Sequence, residues 1–178
     1  GVVHRDLKPE NIMVGDFNEI LVADWGIGHL RKSDDPAPSA ESISARSVSE
    51  PGLRILGTPV YMSPEQAYGN AHALRPPSDQ YALGLILYEL VTLQRANRSG
   101  EPRAAILAAR KAHKEPMEHY AQLKIDPAIE AIVDRATQPW PHDRYPGVQE
   151  LAADVRRFAL GEEVLAFPDT WHRAIWRR

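Results

Sequence analysis

Polar and apolar positions change rhythm along this chain, and the change divides it. Near the start, two short apolar runs, Ile12-Met13-Val14 and Ile20-Leu21-Val22-Ala23, flank Gly15-Asp16-Phe17-Asn18. Short β-branched runs around a Gly/Asp/Asn cluster predict a β-hairpin, expected to be the only sheet. Residues 31–52 break the pattern, with Asp34-Asp35-Pro36 followed by five serines between Ser39 and Ser49. A stretch so polar predicts a mobile loop with no packing of its own. Beyond it the spacing turns helical. Ser63, Pro64 and Gln66 supply an N-cap, a first-turn proline and the far half of a capping box. Ser78 is expected to cap a second helix from Asp79 to about Leu93. Tyr81, Leu83, Leu85, Ile86, Leu87, Tyr88, Leu90, Val91 and Leu93 fall on every face of it, which predicts a buried central helix. Pro102 opens a helix to about His113, and Asp126-Pro127 caps another to about Ala136. Val148, Leu151, Ala152, Val155 and Phe158 repeat with helical spacing up to a stop at Gly161.

Composition adds limits. With 178 residues, 43% hydrophobic and 25% charged, the chain can bury one core of ordinary character. A formal net charge of −3 weighs against nucleic acid as a partner. The absence of cysteine removes disulfide and thiolate chemistry and suits a reducing compartment. No apolar run reaches the length that spans a bilayer. Chemistry must come from short polar motifs.

One such motif stands almost at the first residue. His4-Arg5-Asp6-Leu7-Lys8-Pro9-Glu10-Asn11 fits the pattern H-R-D-L-x-x-x-N at every fixed position. Asp24-Trp25-Gly26 follows where that pattern is accompanied by D-F-G, and Ser63-Pro64-Glu65 where it is accompanied by A-P-E. Together these residues resemble a serine/threonine protein kinase. Gly161-Glu162-Glu163-Val164-Leu165-Ala166-Phe167-Pro168, and the stretch from Arg144 to Leu151, are similar to the bacterial, eukaryotic-like kinases of that kind.

The resemblance implies a fold, mainly α with a small β-hairpin, of the large C-terminal lobe of a kinase. Only three residues precede His4, no G-x-G-x-x-G motif occurs, and the first residue is Gly. The N-terminal lobe is therefore expected to be absent, and half of the ATP site with it. Residues 1–160 then form a partial kinase domain, with catalytic loop 4–11, activation segment 24–65 and helical core 63–160. Residues 161–178 form a C-terminal tail. Its basic and aromatic end, from Trp171 to Arg178, suits a juxtamembrane segment leading to a membrane span beyond it, or equally an ordinary terminal helix. The expected location is the cytoplasm, free or as the cytoplasmic domain of a membrane-anchored kinase.

The same resemblance implies roles. Asp6 orients the acceptor hydroxyl and takes its proton, Lys8 contacts the transferring phosphate, and Thr58 bonds both. Asn11 and Asp24 hold Mg²⁺ on the phosphates of ATP, and Met13 belongs to the floor of the nucleotide site. Trp25 packs on His4, Glu65 pairs with Arg144, and Asp79 accepts from the backbone of the catalytic loop. Arg5 is the cation for a phosphorylated activation segment, with Ser42, Ser44, Ser47 and Ser49 as candidate phosphosites. His29 holds a place where a second basic residue often helps, and Glu10 and Glu89 hold places that meet substrate arginines in basophilic kinases. Each residue also has a plain reading: Asp6 as a turn cap, Lys8 as a solvated lysine, Asn11 as a turn residue, Asp24 as a strand-end cap. The function implied is transfer of the ATP γ-phosphate to protein Ser/Thr, performed by an intact parent, with the fragment alone inactive. A non-catalytic pseudokinase or docking module is the alternative, and a small-molecule phosphotransferase is a third reading. Protein substrates and ATP are the expected partners, without nucleic acid.

Overall fold

The computed structural model describes residues 2–27, 29–30, 47–50, 53–69 and 75–168. Among them lie six short strands and five α-helices. The strands are β1 (Val2–Val3), β2 (Ile12–Val14), β3 (Ile20–Val22), β4 (His29–Leu30), β5 (Ser47–Glu50) and β6 (Leu53–Leu56). The helices are α1 (Pro64–Ala67), α2 (Pro76–Thr92), α3 (Pro102–Arg110), α4 (Pro127–Ala136) and α5 (Val148–Ala159).

The hairpin of β2 and β3 forms with Met13 opposite Leu21. It is not the only sheet, because β1 pairs with β4 and β5 with β6, each antiparallel. The last pair corrects the loop expected over residues 31–52. Ser47 lies opposite Leu56 and Glu50 opposite Leu53. Ser47-Val48-Ser49-Glu50 alternates, and backbone pairing does not need apolar side chains at every position. The rest of that loop, 31–46 and 51–52, lies outside the described residues, as do the basic-aromatic residues 169–178.

Helix α1 has a complete capping box, Ser63 and Gln66 each bonding the other's backbone N–H. Helix α2 starts earlier than Ser78, because Pro76 and Pro77 occupy its first turn, where a missing N–H is harmless. Arg75 stands at the cap position, and the Ser78 hydroxyl turns to Glu65 instead. Tyr81, Leu85, Ile86 and Tyr88 of α2 are buried, but Leu90 and Leu93 are exposed, so the helix is central without being enclosed on all faces. Gly84 lets α4 come close: a Cβ there would stand 2.9 Å from the Cβ of Ala136 and 2.7 Å from Cγ2 of Thr137. Helix α3 stops at Arg110, short of His113. Helix α4 begins with Asp126 capping the Ala128 N–H, and α5 ends before Gly161, whose φ is +71°.

Residues 161–168 are packed rather than trailing. Val164 is fully buried in the cluster of α4 and α5, and Ala166 and Phe167 lean on it. Their anchor is Asp154 of α5, itself buried completely. It accepts bonds from the backbone N–H groups of Leu165 and Ala166, the Tyr145 hydroxyl and the Arg157 guanidinium, all at 2.9 Å. Asp154→Ala should leave the Tyr145 hydroxyl, the two backbone N–H groups and the Arg157 guanidinium without their acceptor and cost at least about 2 kcal/mol. Hydrogen exchange at Leu165 and Ala166 should accelerate together; unchanged exchange there would remove Asp154 from this role.

Candidate active site

The loop from His4 to Asn11 is held in shape before any ligand arrives. Its backbone turns at Arg5, whose φ of +72° is unusual for a side-chain-bearing residue. Three hydrogen bonds hold that turn. Asp79 of α2 accepts from the His4 N–H at 2.7 Å and the Arg5 N–H at 2.8 Å, and Gln66 donates to the Arg5 carbonyl at 2.8 Å. Burial pushes the Asp79 carboxyl above its ordinary value, more than the two N–H bonds draw it down. The His4 ring is locked as well. Its Nε2 donates to the Ala23 carbonyl at 2.9 Å, its Nδ1 accepts from the Asp6 N–H at 3.3 Å, and Trp25 packs on it with ring centres 4.6 Å apart.

Asp6, Lys8 and Thr58 form a closed triangle. The Thr58 N–H donates to Asp6 Oδ1 at 2.7 Å, Lys8 Nζ donates to the Thr58 hydroxyl at 3.1 Å, and Lys8 Nζ stands 3.5 Å from Asp6 Oδ2. Thr58 thus meets Asp6 through its backbone and Lys8 through its hydroxyl. Gly57 makes the approach possible: its φ is +108°, and a Cβ there would sit 2.9 Å from the Arg5 carbonyl oxygen. One carboxylate oxygen of Asp6 is fixed by an N–H and the other lies beside a cation. A carboxylate so oriented can take a proton from a hydroxyl brought to it.

Asn11 is buried and donates its amide N–H to the Asp6 carbonyl at 2.8 Å, which leaves Oδ1 as the atom with which it could ligate a metal. Its own carbonyl accepts from the Ala23 N–H at 2.8 Å, so Asn11 and Asp24 are neighbours through the backbone. Asp24 is exposed, with φ of +60°. Among the described residues no cluster of three His, Asp or Glu side chains can hold a metal. One amide oxygen and one carboxylate fit a hard cation that takes its remaining ligands from phosphate and water. Beside them Met13 and Leu21 are about half exposed, an apolar surface next to the polar site.

Glu65 and Arg144 tie α1 to the segment before α5. Arg144 donates to the two Glu65 oxygens at 2.8 and 2.9 Å, and its side chain is 0% exposed. Its other three N–H groups go to the carbonyls of Pro77, Gln138 and Pro139, so all five donors are used. Tyr81 lies under the guanidinium at 4.8 Å. Burial raises the Glu65 carboxyl, but the bonds and charge of Arg144, with the Ser78 hydroxyl, bring it below its ordinary value.

Arg5 is buried, its Nε finds no hydrogen-bond partner among the described residues, and burial lowers its guanidinium from the ordinary value against the pull of Asp79. His29 pairs through its backbone with Val3, and Ser47 and Ser49 lie in β5; Ser42 and Ser44 fall outside the described residues. Glu10 and Glu89 share a neighbour, Arg95, at 3.6 and 3.9 Å. Sequence reading missed Arg95, Asp154 and the Gln66 bond to Arg5. The capping box announces the helix that Gln66 belongs to, not its bond to Arg5, and the other two had no signal in the order of residues.

Comparison with known proteins identifies the family. The family model described as protein kinase domain matches residues 1–154. The chain is similar to the serine/threonine-protein kinase PknD of Chlamydia pneumoniae, 35% identical over 90% of this chain and 17% of that protein. It is 36% identical to PknD of Chlamydia trachomatis serovar L2b over 91% of this chain and 18% of the relative. PknD of Protochlamydia amoebophila is 31% identical over 90% of this chain and 17% of its own length. The chain thus spans less than one fifth of these relatives.

Proposed function

The chain belongs to the protein kinase domain family, and on that premise we propose that it transfers the γ-phosphate of ATP to serine and threonine hydroxyls of proteins, as part of a longer protein. The observation that carries this reading is the triangle of Asp6, Lys8 and Thr58. Asp6 takes the proton of the acceptor hydroxyl as its oxygen bonds the γ-phosphorus and the bond to the ADP oxygen breaks. Lys8, kept beside Asp6 by Thr58, stands by the negative charge that migrates in this step. Asn11 and Asp24 would hold Mg²⁺, which supplies charge neutralisation on the phosphate oxygens when bound. Met13 and Leu21 give an apolar floor to the adenine, and His4 and Trp25 brace the loop beneath.

The wider reading follows. The described residues are taken as the large lobe, with 1–160 a partial domain onto which 161–168 pack. Arg5, buried with an Nε that has no partner among the described residues, suits a phosphate on residues 39–49, Ser47 and Ser49 before Ser42 and Ser44. Protein substrates in the cytoplasm belong to the same proposal. No described helix is long and apolar enough to cross a membrane.

Nucleotide titration tests the site. Full-length protein should bind ATP more tightly with Mg²⁺ than without, and Asp24→Ala should remove at least about tenfold of that gain. Residues 1–178 alone, offering only a floor, should bind ATP poorly and transfer no phosphate. Low-micromolar affinity of that segment, or a metal effect untouched by Asp24→Ala, would contradict the assignment.

A further inference from the structure

Arg95 sits between two carboxylates at the edge of the catalytic loop. Its terminal guanidinium nitrogen lies 3.6 Å from Glu10 Oε1, and its Nε lies 3.9 Å from Glu89 Oε1. The other Glu89 oxygen accepts the Tyr61 hydroxyl at 2.5 Å. Burial first, then that bond to Glu89, raises the Tyr61 hydroxyl well above its ordinary value, so Tyr61 serves as a neutral donor fixing Glu89. Glu10 lies on the turn that continues the catalytic loop, and Tyr61 on the turn that follows Thr58, the partner of Asp6. Four residues of chain, the separation of Glu10 from Asp6, reach at most about 14 Å. A peptide presenting a hydroxyl to Asp6 therefore brings a side chain a few positions away within reach of this cluster.

The chemistry of the cluster is that of a cation subsite. Glu10 and Arg95 are more than half exposed, at 57% and 53%, and Glu89 is 27% exposed, so a ligand can approach. Both ion pairs are too long for hydrogen bonds, and exposed pairs of this kind bind weakly. They are not a structural clamp of the Glu65–Arg144 kind. Two carboxylates converge on a guanidinium, and that guanidinium is the chain's own.

We propose that Arg95 is a specificity-determining residue, an in-chain cation that fills the Glu10–Glu89 site and makes the enzyme indifferent to a basic side chain near the acceptor hydroxyl. The inference rests on the kinase reading above. With Arg95 the three groups carry a net charge of about −1, and without it about −2. Removing one unit charge about 5 Å away in near-aqueous surroundings changes the affinity for a cation about fourfold.

The test uses full-length protein and serine peptides that differ only in carrying an arginine or a glutamine at successive positions around the acceptor. For the wild type, the arginine-to-glutamine ratio of kcat/KM should stay within about threefold of one at every position. Arg95→Ala should raise it about fourfold or more at one position, through KM. Arg95→Glu should raise it further, and added salt should shrink both gains. A wild-type preference for arginine above about tenfold, or a ratio moved less than about twofold by both variants, would overturn the proposal. A second readout does not need turnover: anisotropy of the labelled arginine peptide on Asp6→Asn protein, with and without Arg95→Ala. Tighter binding on loss of Arg95 with no phosphorylation by the wild type would sink the kinase reading and keep the Arg95 subsite. Phosphorylation with no change in binding or ratio would do the reverse, and failure of both readouts would overturn both.

Discussion

Asp6→Asn in the full-length protein is expected to lower kcat for Ser/Thr phosphorylation by at least about 100-fold, with ATP affinity nearly unchanged. The geometry gives the reason for both halves. An asparagine has the shape of the carboxylate and still offers an oxygen to the Thr58 N–H, now at 2.7 Å, so the loop keeps its form. It has no capacity to take a proton from a hydroxyl, and Lys8 loses the opposite charge 3.5 Å away. The metal-binding candidates Asn11 and Asp24 are untouched, so nucleotide should bind as before. Steady-state kinetics with a generic basic protein, alongside ATP titration, separates the two. A variant keeping more than about a tenth of wild-type kcat would remove Asp6 from its role.

The second large effect is on stability. Arg144→Ala should destabilise the domain by roughly 3–5 kcal/mol, because it leaves the Glu65 carboxylate buried without a cation. Three backbone carbonyls and the ring of Tyr81 lose the same partner. For a domain of this size that corresponds to a melting shift of at least about 6 °C. Arg144→Lys should recover little, since one ammonium cannot replace a fork that makes five bonds. Hydrogen exchange in residues 63–69 should rise with the fall in melting temperature. A shift under about 2 °C would show that the pair is dispensable.

Acid should reveal the same pair. The Glu65 and Asp154 carboxyls both lie below their ordinary values in the fold. A depressed carboxyl contributes stability that is complete above its unfolded value, about 4 for either residue, and is lost as pH falls through its folded value. The Asp79 carboxyl is raised, so its protonation opposes part of that loss.

What was legible in the sequence was local. Ser63 through Gln66 announce their helix because a capping box closes within four residues, and His4 through Asn11 carry their chemistry in a fixed string. The candidate catalytic carboxylate and the two metal-binding candidates could therefore be proposed from residue order. The scaffold that holds them could not be derived that way. Nothing in the order of residues shows that Gln66 reaches the Arg5 carbonyl, or that the Ser78 hydroxyl leaves its helix for Glu65. Asp154 was invisible because its partners at Leu165 and Ala166 are backbone N–H groups, which any residue supplies. Strand β5 was misread for a different reason. Its serines dominated the reading, while the alternation around Val48 and the Pro51-Gly52 dipeptide in the sequence were signals of strand and turn. Arg95 meets Glu10 and Glu89 only in the folded chain.

The central claim is that Asp6, Lys8 and Thr58 move a phosphate from ATP to an aliphatic hydroxyl of a protein. The most direct measurement offers full-length protein γ-labelled ATP, Mg²⁺ and peptides bearing a single serine, threonine or tyrosine. The account predicts label on the serine and threonine peptides, dependent on Mg²⁺ and missing in Asp6→Asn, with none on the tyrosine peptide. ATP bound without any transfer to serine or threonine, or label on tyrosine alone, would contradict it.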